Sequence, residues 1–300
     1  MPAVGGGASK AGLGRFLLVY TTCDGGACGG TATQHLAQSA DGVRWSAVPS
    51  FKPGPGSAPS AVRRGRRLYV LDSVQVAPDG IVASLRRFTV TTSGLSELGP
   101  IRIVIDAPSD LAEITAASAT ITRDPAGALV ILTALRFEPN GTTCKQTVKA
   151  CLRLRTSTEQ VGSDGTSFAP DRGDRAAFTY DTADNVGDPA VFSDDKGFVV
   201  FLSGPGSCLR VLVSSDVHGA YGGGPGLAGG CLVVDPPLAT PSGAFRKLVA
   251  ESWVYGVSDG AVVRAVARKL GSRVPATRFR TLRGLGDAPV QAARLVLNTP

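Results

Sequence analysis

Four stretches of the chain repeat one pattern: a small or proline-containing lead, a short apolar segment, a polar or charged turn, then a strongly apolar segment. They are APSAVRRGRRLYVLDS from Ala58, AASATITRDPAGALVILTA from Ala116, GDPAVFSDDKGFVVFLSG from Gly187 and TPSGAFRKLVAESWVYGVSDG from Thr240. Their starts lie about 50 to 70 residues apart, the length of a four-stranded unit that must stack on its neighbours to bury its apolar faces. A fifth copy shows only its second segment, RFLLVYTT from Arg15. The missing first segment stands at the other end, where GDAPVQAARLVLNTP from Gly286 begins like GDPAVF and stops after one strand. The chain therefore predicts an all-β fold, a five-bladed β-propeller whose C-terminal strand closes the N-terminal blade and leaves no bare sheet edge.

Composition agrees with many short strands. There are 38 glycines, 20 prolines and one methionine, and long amphipathic periodicity is hard to find. The stretch Glu251 to Leu270 is valine-rich, carries Gly256 and Gly260 and lacks a periodic polar face, so it reads as two strands. Residues 1–14, MPAVGGGASKAGLG, are expected to be a flexible tail and residues 15–300 one propeller domain. That start has neither a charged n-region nor an apolar h-region, so a signal peptide is absent from the chain as it stands and could have been removed. No apolar run reaches bilayer-spanning length, which predicts no membrane partner.

Six cysteines fall as neighbouring pairs, Cys23 and Cys28, Cys144 and Cys151, Cys208 and Cys231. Local closure of hairpin loops is the simplest of the fifteen possible pairings, and it implies a secreted or periplasmic protein. No CxxC is present and only two histidines occur, so no metal and no cofactor is expected. The net charge of +7 is concentrated in residues 261–300, with eight Arg and Lys against the single acid Asp287. Aromatic residues scarcely interleave there, which favours a solvated strand face over a nucleic-acid partner. The chain is expected to be monomeric.

Ser39-Ala40-Asp41-Gly42-Val43-Arg44-Trp45 resembles the Asp-box of sialidase-like propellers. Gly162-Ser163-Asp164-Gly165-Thr166-Ser167-Phe168 and Ser214-Ser215-Asp216-Val217-His218-Gly219-Ala220-Tyr221 are looser versions of it. In such a turn the Asp carboxylate accepts backbone N–H bonds, the glycine takes positive φ and the aromatic ring packs between blades. The resemblance places these aspartates opposite the ligand face, as structural groups. It also implies that the ligand face is built by loops leading into each innermost strand and loops following each second strand.

By position, the leading loops supply Asp110, Glu113, Asp188 and Asp287, and the second-strand ends supply Asp24, Asp72, Arg136, Ser203 and Asp259. Glycosidic chemistry needs one carboxyl to give a proton and another to act as base or nucleophile. Asp188 and Asp287 share a Gly-Asp setting and form the best pair. Glu113 is the one glutamate near a leading loop, which makes it the expected raised-pKa acid, and Asp72 follows the apolar run LYVL, an odd place for a charge unless it faces the channel. Asp24, Arg136, Ser203 and Asp259 are candidate binding residues, Arg136 for a carboxylate or sulfate. The early arginine-isoleucine-proline-like motif of sialidases is missing. A glycoside-hydrolase-like propeller taking a glycan or small molecule in its channel is the leading reading; a non-catalytic lectin or interaction propeller and a small-molecule cyclase or lyase stay open.

Overall fold

The computed structural model describes residues 13–23, 32–56, 60–137, 152–178, 187–194, 197–203, 208–223, 231–233, 239–246, 251–267, 280–286 and 289–297. Five antiparallel sheets form the blades of a β-propeller. The first holds β1 (Phe16–Thr22), β2 (Thr33–Ser39), β3 (Ser46–Ala47) and β4 (Gly54–Pro55), and the second β5 (Ser60–Arg64), β6 (Arg67–Ala77), β7 (Gly80–Thr91) and β8 (Gly94–Asp106). The third holds β9 (Ile114–Arg123), β10 (Leu129–Phe137), β11 (Leu152–Glu159), β12 (Phe168–Pro170) and β13 (Ala176–Phe178). The fourth holds β14 (Gly187–Asp194), β15 (Gly197–Ser203), β16 (Cys208–Ser214), β17 (Gly222–Gly223) and β18 (Cys231–Val233). The fifth holds β19 (Ala239–Arg246), β20 (Glu251–Ser258), β21 (Ala261–Ala267) and β22 (Arg280–Thr281).

β23 (Val290–Leu297) returns to the first blade and pairs with β1 from Phe16 opposite Leu297 to Thr22 opposite Val290. The first strands of the sheets then neighbour one another in the order β23, β5, β9, β14, β19 and back to β23. The four repeated segments are the hairpins β5–β6, β9–β10, β14–β15 and β19–β20.

The junctions between blades are the core. β1 reads as an unbroken apolar run because both of its faces are covered. Phe16, Leu18 and Tyr20 pack with Tyr255 and Val257 of the fifth blade, while Leu17 and Val19 pack with Leu68, Val70 and Phe88 of the second. Leu71, Ile81, Leu85 and Ile105 meet Ile121, Leu135 and Phe137 in the next junction. Each such side chain contributes about 1.5–3 kcal/mol when fully buried. No helix among the described residues is long and apolar enough to cross a membrane.

The turns after the third strands of the first, third and fourth blades each tie that blade to the one before it. At the first, Asp41 Oδ1 accepts the N–H groups of Val43 and Arg44 at 2.8 and 2.9 Å, Gly42 has φ +73°, and the Gly42 carbonyl accepts from Tyr255 Oη of the fifth blade at 3.3 Å. Trp45, Phe168 and Tyr221 each pack on the preceding blade's core. Asp216 Oδ1 accepts the His218 N–H at 3.0 Å. Asp164 departs from the expected pattern. It takes φ +47° itself, and its carboxylate accepts from Tyr69 Oη at 2.7 Å and Arg64 Nη2 at 3.3 Å across the junction. The basic hairpin below it offers stronger, charge-assisted donors than a local amide.

Candidate functional site

Asp72 lies within β6 and not at its end, because β6 and β7 continue together to the turn at Asp79. The partner strand β5 begins opposite Leu71, so Asp72 sits one residue past that pairing. A register shift between Leu71 and Ser73 leaves it without an opposite number on β7 as well. The bulge turns the side chain into the protein, where the residue is 6% exposed. Ser84 Oγ stands 3.5 Å from Oδ2, and Oδ1 is buried with no hydrogen-bond partner among the described groups. Burial pushes the carboxyl up to about 7, against the pull of the Arg86 guanidinium and Ser84, with the Glu97 charge adding to the rise.

Two polar side chains that the sequence did not single out border it. Gln34, on β2 of the first blade, is fully buried and donates through Nε2 to the Leu71 carbonyl at 3.1 Å. Arg86, on β7, places Nε and Nη2 on the Glu97 carboxylate at 2.8 and 3.1 Å and Nη2 on the Lys52 carbonyl at 2.9 Å. Its plane lies over the rings of Phe51 and Phe88, 4.5 and 5.1 Å from their centroids. A rigid, ion-paired arginine thus flanks a carboxyl that is poised near neutral pH to give or take a proton.

The leading loop of the third blade forms a single 3-10 turn at Leu111–Glu113, where the Glu113 N–H donates to the Asp110 carbonyl at 2.9 Å. Glu113 is half-buried directly before β9. Asp110 is ion-paired with Arg153 at 2.8 Å. Arg136 is the penultimate residue of β10, opposite Ala116 and Leu152, and Ser203 ends β15 opposite Gly187. Asp259 is an exposed turn residue at φ +50°, with Ser258 Oγ 3.4 Å from its carboxylate.

Asp188 stands inside β14 and not in the loop before it. Gly187 pairs with Ser203 and Ala190 with Phe201, so Asp188 and Pro189 fall in a bulge, consistent with a proline that has no N–H for the ladder. Asp24 and Asp287 lie outside the described residues, as do Cys28, Cys144 and Cys151. Cys23 is disulfide-bonded. Cys208 and Cys231 occupy adjacent strands, two residues apart in register. The structure brings Asp72 together with Gln34 and Arg86.

No protein-family model and no curated protein matches the chain. Solved structures do. The inulosucrase from Halalkalicoccus jeotgali bound to kestose superposes with a TM-score of 0.55 at 16% identity, covering 86% of this chain and 82% of that one. The Trypanosoma rangeli sialidase with 2,3-difluorosialic acid gives 0.54 at 10% identity over 95% of this chain and 48% of the other. An exo-β-1,3-galactanase from Clostridium thermocellum gives 0.50 at 12% identity over 81% and 51%. The chain spans about half the length of the last two. At these identities the likeness is one of fold, that of the sialidase-like and glycoside-hydrolase propellers the sequence resembles.

Proposed function

We propose that this chain is a glycan-directed propeller with glycoside-hydrolase-like chemistry at the channel face. The observation that carries the reading is Asp72, a carboxyl buried at a bulge beside the second blade's inner strand and raised to about 7. Glycoside hydrolysis needs a carboxyl that still holds its proton near neutral pH, set apart from others that stay ionised. Asp72 is cast as that proton donor. Asp188 and Asp287 are cast as the ionised pair, Glu113 as a further acid on the leading loop, Asp24, Ser203 and Asp259 as ligand-binding groups, and Arg136 as the group for a carboxylate or sulfate. The sugars named with the structural neighbours, kestose and sialic acid among them, support a glycan as the class of ligand.

The same reading takes residues 15–300 as one secreted or periplasmic, monomeric domain, with disulfides joining Cys23 to Cys28, Cys144 to Cys151 and Cys208 to Cys231. The test is release of reducing sugar from a panel of neutral oligosaccharides and aryl furanosides and pyranosides. Release by the native chain should fall by about a hundredfold or more in Asp72→Asn, a near-isosteric change that removes the proton. No release from any substrate, or full activity in Asp72→Asn, overturns the proposal.

A further inference from the structure

We propose that the cleft between the outer strands of the second and third blades is a separate saccharide site, one that holds a neutral, hydroxyl-rich sugar unit away from the channel. It rests on the glycan-directed reading above. The cleft encloses about 420 Å³, within the range of small-molecule sites. Its walls are the end of β8, the loop Pro108 to Asp110 leading to β9, and the break between β12 and β13 around Pro170 to Gly173. β8, β12 and β13 are outer strands of their blades, whereas the channel is surrounded by the first strands; of the walls, the loop Pro108 to Asp110 is the one that leads inward, to β9.

Its floor is Arg153 and Arg155. They alternate with Leu152 and Leu154 along β11, so the leucines enter the core and the two guanidinium groups share the opposite face. Arg153 lies over the Phe137 ring at 4.1 Å and donates through Nη1 to Asp110 Oδ2 at 2.8 Å. Arg155 donates through Nε to Asp174 Oδ1 at 2.9 Å and through Nη1 to Asp106 Oδ2 at 3.4 Å. These hydrogen bonds use one N–H of Arg153 and two of Arg155, out of five on each, and Asp174 Oδ2 and Asp110 Oδ1 stand 3.8 Å from Arg153 Nε and Arg155 Nη2. The forks are thus held in place with donor capacity remaining, the condition for recognising a ligand without reorganising.

Charge selects the ligand. Three lining carboxylates, Asp106, Asp110 and Asp171, outnumber the two lining arginines, so the lining disfavours a uronate, a sialate or a phosphate. A neutral sugar suits both halves of the lining, its O–H groups donating to the carboxylates while its oxygens accept from the guanidinium groups. Pro108 and Pro170 offer the apolar surface that the C–H face of a sugar ring covers. Asp171 is fixed from behind by Thr158 Oγ1 at 2.9 Å and His218 Nδ1 at 3.0 Å.

The experiment follows the arginine Nε–H signals of the full chain by NMR, identified through their loss in Arg153→Lys and Arg155→Lys, during titration with kestose, xylotriose and trigalacturonate. The neutral trisaccharides should shift both signals, in the native chain and equally in Asp72→Asn, and trigalacturonate should not. Asp171→Asn combined with Arg155→Gln should weaken the neutral sugars at least tenfold while cleavage of small chromogenic glycosides is unchanged. Signals that stay fixed at tens of millimolar neutral sugar, or that move only with trigalacturonate, overturn the site. Shifts without any hydrolysis would leave it standing and remove the catalytic reading; hydrolysis without shifts would do the reverse.

Discussion

The phenol of Tyr69, on the second strand of one blade, donates a 2.7 Å hydrogen bond to the Asp164 carboxylate in the outer turn of the next. Tyr69 is fully buried, and burial together with the Asp164 bond pushes its hydroxyl up to about 12. Arg64 braces the same point, paired with both Glu159 and Asp164. In a propeller the blades have no continuous hydrogen-bonded sheet between them, so contacts of this kind fix their rotation. Tyr69→Phe keeps the ring and should cost about 1–1.5 kcal/mol. A double-mutant cycle with Asp164→Asn should return a coupling of about 1 kcal/mol in urea unfolding; additive losses would refute the link.

Gly165 follows directly and has no room for a side chain. Its φ is +75°, and a Cβ there would lie 2.6 Å from Tyr69 Cε1. Gly162, in the same turn at φ +77°, has nothing within 4 Å of that position. Alanine at either site meets the same left-handed backbone penalty, about 1–2 kcal/mol, but only Gly165→Ala also pushes a ring out of a packed junction. Its loss of stability should exceed that of Gly162→Ala by about 1–3 kcal/mol, and equal melting temperatures for the two variants would contradict the packing.

β23 gives the first blade its inner strand and stands between β5 and β19 in the ring. Removing residues 291–300 exposes one edge of β1 and uncovers Phe16, Leu18 and Tyr20 together. The melting temperature should fall by at least about 10 °C, far more than a single buried contact would explain. A shortened chain that melts with the native one would count against a ring held shut by its last strand.

The blade hairpins were legible because β-strands buried on both faces carry long runs such as FLLVY and LVILTAL, and the turns between them carry glycine. Side-chain environment was less so. Gln34 and Arg86 sit in TQHLAQS and IVASLRRFT, where local alternation reads a polar residue as solvent-facing, and only the approach of the neighbouring blade buries them. Arg153 and Arg155 look like an ordinary charged strand face until the loop after β8 folds over them. Asp72 was conspicuous after LYVL, but its position in a bulge is set by the pairing of β6 with β7, which depends on a hairpin closing eight residues further on.

Asp72 should also leave its mark on stability. Its folded value near 7 lies above the ordinary carboxylate value of about 3.9 that it regains on unfolding. Below about pH 4 both states hold the proton and the residue costs nothing. Between about pH 4 and 7 the unfolded chain ionises while the folded one keeps its proton, so the folded state binds more protons and stability falls as pH rises. Above about pH 7 the penalty is complete, on the order of 4 kcal/mol at most. Asp72→Asn has no such penalty, so it should be more stable than the native chain at pH 8 and nearly equal at pH 4, read from urea midpoints. The Arg86 charge lowers the Asp72 value and the Glu97 charge raises it. Arg86→Gln therefore removes the favourable partner and frees the unfavourable one, and should extend the decline past pH 7. Parallel stability curves for the native chain, Asp72→Asn and Arg86→Gln between pH 4 and 8 would mean that this carboxyl ionises as an exposed one does, and the proton-donor role assigned to it would fall with the pH dependence.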